Sequence, residues 1–228
     1  QENVGKPIGN PAFKPISKQL VEQNYSRLNG LVPNFFGSQR FGSLRANSHI
    51  VGKFLLQKKF LDAIQNFLCA TDEGEGSGGF EARTKLMQIW GQENCFKAAL
   101  EFFPQHLKYE RTVLGHLSQF PTDYIGALRK LPRVLQLMFI HAYQSFLFNQ
   151  VLLKKIGESD FNEGEEANLV GCESAPTVFE EEFLAKDGLT NADFLLKSLP
   201  ELSSKGSKRK LFVKLGDFQI LSDEPLVI

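Results

Sequence analysis

Three cysteines, Cys69, Cys95 and Cys172, stand far apart and odd in number, and no Cys-x-x-Cys pair occurs. That excludes a disulfide framework and the usual zinc-binding spacing, and it suits a reducing, cytoplasmic setting. Uninterrupted apolar runs are also missing. Val134 to Phe148 is broken by Gln136, His141 and Gln144, short of the roughly 18 residues that a membrane span needs, so no membrane partner is expected. No secretory signal is expected from its first residues. Gly74 to Gly79 has neither a preceding strand nor a Gly-Lys-Ser/Thr ending, so it is not a phosphate loop. There is no Gly-x-Ser-x-Gly elbow and no His-Glu-x-x-His pair, which removes two common hydrolase chemistries. Net charge is zero, which argues against a protein that coats nucleic acid indiscriminately.

Phenylalanine is abundant: 21 residues against four tyrosines and one tryptophan. Its ring buries much area and leaves no polar atom to satisfy, so most of these rings belong in a core. Charge is unevenly spread. Residues 1–60 carry nine Lys or Arg against two Glu, whereas residues 158–187 carry ten Asp or Glu against Lys186 alone. The basic segment has the footprint of phosphate contact; the acidic run reads as a solvated face or loop that should lie away from phosphate.

Along the chain the pattern is mostly helical. Ser17 can cap a helix over Lys18 to Asn29, with Leu20, Val21 and Leu28 on its buried face and Gly30 as its stop. Ile50, Phe54 and Leu55 suit a short helix, and Phe60 to Leu68 gives a second apolar stripe. Residues 71–79 read as a flexible break. Helices are expected over Phe80 to Trp90, Cys95 to Phe103 and Leu107 to Leu117. Pro132 opens a long helix through Ile156 whose stripe is wide enough to be central. His141, Tyr143, Gln144, Ser145 and Asn149 interrupt that stripe and are expected to serve neighbouring loops as buried hydrogen-bonding groups. Glu158 to Glu173 reads as loop, Phe179 to Lys186 and Ala192 to Leu199 as short elements, and Ser203 to Lys210 as a basic turn. Leu211 to Leu215 and Phe218 to Leu221 have strand character.

Between the first two helices runs Gly30 to His49, too apolar and aromatic for a solvated loop. Pro33 fixes its own φ and pushes Val32 towards an extended conformation. Gly37 and Gly42 permit tight turns or close approach. Asn34, Phe35, Phe36, Gln39, Arg40 and Phe41 supply amides that can read a base edge, rings that can stack on it and a guanidinium that can fork onto phosphate. The plainer alternative is a turn whose rings plug a core, with Arg40 paired to a carboxylate.

Pro-Asn-Phe-Phe-Gly-Ser-Gln-Arg-Phe-Gly resembles the Asn-Tyr/Phe-Phe-Gly-x-Gln-Arg-Phe-Gly signature of the TruD family of tRNA pseudouridine synthases. Arg45, Asn47 and His49 continue it, with Ala46 where proline is usual. His141-Ala-Tyr-Gln-Ser-Phe-Leu-Phe-Asn149 is similar to a second family block, and Pro200-Glu-Leu-Ser-Ser-Lys-Gly-Ser-Lys-Arg209 to a third. The resemblance implies an α+β fold: part of a catalytic domain with a mixed sheet (1–60), a mostly helical insertion (61–208) and a return to the catalytic domain (209–228). It implies isomerisation of a uridine in structured RNA, with tRNA as the expected substrate and no metal or organic cofactor. Asn34, Phe36, Gly37, Gln39, Arg40 and Arg45 are the substrate-binding residues it points to, with Phe36 beside the target nucleotide and Phe35 in the core. Arg40, Arg45, Lys205, Lys208, Arg209 and Lys210 are expected to share one RNA-facing surface.

The family's catalytic aspartate sits in a Gly-x-Lys-Asp motif before the signature, and no Lys-Asp precedes the signature here. No catalytic residue is therefore assigned, further chain is expected at both ends, and these 228 residues alone are expected to be inactive. Gly9-Asn10 is followed by Pro11-Ala-Phe13, not the family's Gly-Asn-Arg-Phe. A non-catalytic RNA-docking module and a helical protein-interaction domain are the competing readings.

Overall fold

The computed structural model describes residues 18–72, 74–159 and 161–216. The Ser17 cap, Asn10 and Phe13, the side chains of Leu20 and Val21, and the strand expected at Phe218 to Leu221 lie outside the described residues.

Helix α1 (Lys18–Arg27) ends where Asn29 and Gly30 take positive φ, and the Gly30 N–H donates back to the Tyr25 carbonyl at 3.0 Å. This left-handed stop turns the chain into strand β1 (Leu31–Pro33). The signature loop follows, with one 3-10 turn at Ser38–Arg40. A helical body comes next: α2 (Ser48–Leu56), α3 (Phe60–Cys69), α4 (Ser77–Ile89), α5 (Cys95–Phe102), α6 (Lys108–Leu117), α7 (Tyr124–Arg129) and the 25-residue α8 (Arg133–Gly157). Then come β2 (Glu166–Leu169), α9 (Val178–Lys186), two short turns of 3-10 helix at Asn191–Phe194 and Pro200–Leu202, β3 (Ser207–Lys210) and β4 (Phe212–Lys214). The fold is α+β. Among the described residues the strands form two antiparallel pairs, β1 with β4 and β2 with β3.

Helix α8 is the axis. Its Phe139, Ile140, Tyr143 and Leu147 enter the large core made by α2 to α7 and the chain after α9. One turn further on, Phe148, Val151 and Leu152 enter a smaller core with Leu31, Ala167, Leu211 and Phe212. A helix buried on both sides needs the wide apolar stripe seen in its sequence. Gly52 lets α2 reach it: a Cβ there would lie 2.0 Å from the Phe139 carbonyl oxygen.

Several expectations need correction. The break at 71–79 is shorter than expected, because α4 already begins at Ser77 and Glu75 is held in a buried ion pair with Arg83. Tyr124–Arg129 is an unforeseen helix, capped by Asp123, whose carboxylate accepts the Gly126 N–H at 2.8 Å. Glu158 to Glu173 is not all loop, and Ser203 to Lys210 is not a turn. The two segments pair as β2 and β3, with Glu166 opposite Lys210 and Asn168 opposite Lys208. Lys155–Glu165 at 2.7 Å, Lys205–Glu173 at 3.0 Å and Lys214–Glu163 at 3.6 Å add ion pairs around them. The acidic run therefore lies along the basic segment instead of away from it; opposite charges on neighbouring strands attract, and the charge count concealed the alternation Glu166, Ala167, Asn168, Leu169.

Candidate functional site

The signature loop is gripped from two sides. On one side β3 and the residue after it take Asn34. Its N–H donates to the Leu211 carbonyl at 2.8 Å and its Nδ2 to the Lys210 carbonyl at 2.9 Å, while its Oδ1 accepts from Arg209 Nη2 at 2.5 Å. The side chain thus ties the loop to a strand about 175 residues further along the chain. On the other side, Asn149 of α8 copies a strand. Its Oδ1 accepts the Phe36 N–H and its Nδ2 donates to the Phe36 carbonyl, both at 3.0 Å.

These grips set the rings. Phe36 is half-buried, edge-on to Phe148 with centroids 5.5 Å apart. Phe35 points the other way and is 40% exposed. The expectation that Phe35 is core is overturned: the second core lies on the Phe36 side, where α8 and β4 converge.

Among the described residues Arg40 is not paired with a carboxylate. Its Nε donates to Ser145 Oγ at 2.9 Å, and Ser145 in turn donates to the His141 carbonyl at 2.8 Å. The Arg40 guanidinium carbon lies 5.2 Å from the Phe36 ring centre, and that of Arg209 lies 4.2 Å from the same centre. Partial burial and the Arg209 charge both lower the Arg40 pKa. Burial, then Arg40, lowers that of the half-buried His141. Gly37 is exposed, with nothing within 4 Å of an added Cβ, and Gln39 is exposed beside it.

Arg45 stands apart from this group. It donates to the Phe67 and Ala70 carbonyls at 3.1 and 3.0 Å and to Glu110 at 3.2 Å. Arg83, 1% exposed, contacts Glu75 at 2.8 Å and Glu110 at 2.6 Å and donates to the Phe67 and Leu68 carbonyls. Two arginines thus close the carbonyl end of α3, where orphan acceptors and the helix dipole favour cations. Burial, then the Arg83 charge, lowers the Arg45 pKa to about 10. Asn47 donates to the carbonyl and side-chain oxygens of Asn66, and His49 stacks on Phe146 at 4.9 Å. The later half of the signature therefore docks the loop onto the helices.

The polar positions of α8 largely serve neighbouring segments. Gln144 Nε2 donates to the Val170 carbonyl and Ser204 Oγ, and Tyr143 donates to Asp187 at 2.8 Å. Of the basic segment, only Arg209 turns inward. Strand alternation sends exposed Lys208 and Lys210 to the opposite face. Arg45 and these lysines do not join Arg40 and Arg209 in one surface. Ser145 and Asn149 serve the neighbouring loop, as expected of the polar breaks in an otherwise apolar helix; the inward turn of Arg209 has no such mark in the sequence, because it follows from the pairing of β3 with β2.

Among the described residues no group of three or more His, Cys, Asp or Glu could hold a metal ion, and no helix is long and apolar enough to cross a membrane.

Comparison with known proteins agrees with the motifs. The family model for tRNA pseudouridine synthase D (TruD) matches residues 8–178. A relative from Methanopyrus kandleri named "Probable tRNA pseudouridine synthase D" is 37% identical over 202 residues, 82% of this chain and 50% of its own length. One of the same name from Thermococcus gammatolerans is 40% identical over 150 residues, 66% of this chain and 33% of its own. A crystal structure described as TruD from Methanosarcina mazei superposes with a TM-score of 0.75 at 27% identity, over 86% of this chain and 55% of that one. This chain spans about half the length of the relative from Methanopyrus. With the family model covering most of the sequence and the signature loop, α8 and β3 assembled around one ring, the chain belongs to the tRNA pseudouridine synthase D (TruD) family.

Proposed function

We propose that this chain is the RNA-gripping and helical portion of an enzyme that converts a uridine in structured RNA, tRNA above all, to pseudouridine in the cytoplasm. The observation that carries the reading is the loop Asn34 to Arg40, held by Asn149 and β3, with the guanidiniums of its own Arg40 and of Arg209 on β3 beside Phe36. The reaction breaks the N1–C1′ bond of uridine and forms a C5–C1′ bond; the C5 proton leaves to solvent and N1 gains one. Asn34, Phe36, Gly37, Gln39 and Arg40 are the residues of this chain assigned to the nucleotide. Exposed Phe35 offers a further stacking face, worth roughly 1–3 kcal/mol per base. Arg45 acts from beneath, by fixing the loop to α3.

The reacting carboxylate belongs to a segment that these 228 residues do not include. Lys186-Asp187 is no substitute: the Asp187 carboxylate accepts from Tyr143 at 2.8 Å and from Lys53 at 3.2 Å, among the helices. The three-part division at 60 and 208 is retained within this reading, with the helical part as an insertion between two stretches of a catalytic domain.

Tritium release from a tRNA transcript labelled at uridine C5 tests the proposal. The full gene product is expected to release tritium, while residues 1–228 bind the transcript without releasing any. Release by the 228 residues alone would refute the missing carboxylate. Binding without release by the full product would favour the docking-module reading, and no binding at all would sink both.

A further inference from the structure

Arg40 and Arg209 are distant in sequence and adjacent in space. Their guanidinium carbons lie within 5.2 and 4.2 Å of one ring centre, so they are under about 10 Å apart, a span that one bound phosphate can bridge with charge-assisted bonds of about 2.8 Å on each side. Neither has a carboxylate partner among the described residues. Arg40 spends only its Nε, on a neutral serine hydroxyl. Arg209 spends Nε and Nη2 on the carbonyl and amide oxygens of Asn34. Among the described residues the Arg40 Nη1 and Nη2 groups and the Arg209 Nη1 group make no hydrogen bond. By contrast Arg45 and Arg83 share Glu75 and Glu110, while half-buried Arg111 donates to the Leu100 and Phe103 carbonyls. Two like charges held beside one ring, with no carboxylate on either among the described residues, form a site for an anion.

We infer that Arg40 and Arg209 together hold a single RNA phosphodiester, one non-bridging oxygen to each guanidinium, with Phe36 as the floor of the site. This rests on the RNA reading above and deepens it. Ser145 and Asn34 are positioning residues here: each fixes one guanidinium through a neutral acceptor and so leaves the charge undiminished. The lowered Arg40 pKa, caused in part by Arg209, is the mark of the same repulsion. An anion between the two relieves it.

The test is the salt dependence of affinity between the full gene product and a tRNA transcript. Each neutralised phosphate contributes about 0.7–0.9 to the slope of log K against log salt. The double variant Arg40→Gln/Arg209→Gln is expected to lose one such increment. Each single variant should weaken binding about tenfold, and the double variant by clearly less than the hundredfold product, because both act on one group. A loss of two increments with multiplicative effects would assign two phosphates and overturn the inference. An unchanged slope would also overturn it; that is the result expected if a carboxylate of another segment fills the site. Because Arg209 braces Asn34, the glutamine variant could fail to fold, so Arg40→Lys and Arg209→Lys are measured too. They should keep the slope and lose several-fold in affinity, since an ammonium lacks the planar fork; a lost slope in them would count against the site. Failure of the unaltered protein to bind the transcript would overturn the RNA reading instead.

Discussion

Phe36 is both a piece of core and a piece of the candidate site. Its edge meets Phe148 while its surroundings carry two guanidiniums. Phe36→Ala should therefore lower stability by about 2 kcal/mol, less than the 3–5 kcal/mol of a fully buried ring, and weaken RNA binding with it. Phe35→Ala should change stability by no more than about 0.5 kcal/mol, as exposed positions do. Urea midpoints of the two variants check this, and a large loss for Phe35→Ala would contradict the placement. Adjacent residues of an extended segment point to opposite faces, so the alternation was legible in the sequence; which face held the core was not, because it depends on residues more than 100 positions away. His49 gives a pH-dependent prediction. Burial, then Lys53, lowers its pKa to about 4, against an opposing pull from Asp187, while in the unfolded chain it titrates near 6.5. Between those values the unfolded state binds the proton and the folded state does not, so stability falls as pH drops from about 6.5 towards 4. With partial solvent exposure discounted, the loss at pH 4.5 should be about 1–2 kcal/mol. Denaturant melts of the protein and of His49→Phe at pH 7 and 4.5 should show this increment only in the former.

Helix packing turns on a few contacts that no local pattern announces. Gly52 sits inside α2, where alanine would ordinarily favour a helix by about 1 kcal/mol. An added Cβ would meet the Phe139 carbonyl at 2.0 Å, backbone against side chain with nothing soft to yield. Gly52→Ala should instead cost about 1–3 kcal/mol by forcing α2 off α8, and a stabilised variant would refute the close crossing. Glu110 on α6 is shared by Arg45 and Arg83, and its side chain is 8% exposed. Glu110→Gln leaves two arginines facing each other at the end of α3 with only Glu75 between them. The expected cost is about 3–5 kcal/mol, the range for removing one partner of a buried pair, read from the denaturant midpoint. Helices with regular stripes, such as α3 and α8, were readable to within a residue or two because burial imposes the 3.6-residue period. The six residues of α7 were too few for a stripe, leaving only the Asp123 cap as a signal. β2 and β3 were missed because each is stabilised chiefly by the other, and a strand whose partner lies about 40 residues away carries little local mark.

At the scale of the molecule, family membership and the α+β class could be read from three motif blocks, since each block is a place where the chain touches another block: Asn149 with Phe36, and Arg209 with Asn34. The distribution of charge misled, because a count along the sequence cannot tell a solvated run from one that neutralises a neighbouring strand. The pairing of β1 with β4 has a kinetic consequence. Leu31 and Lys214 are joined across about 180 residues, and closing so long a loop in an unstructured chain costs about 5 kcal/mol. A ladder of three residue pairs cannot repay that at the outset. Once α2 to α9 have condensed around α8, the two ends already lie side by side and the penalty is gone. The neck is therefore expected to zip up after the folding transition state. Leu31, 5% exposed, reports on it: in stopped-flow experiments Leu31→Ala should speed unfolding in proportion to the stability lost and leave the folding rate nearly unchanged, whereas a slowed folding rate would place the neck in the nucleus.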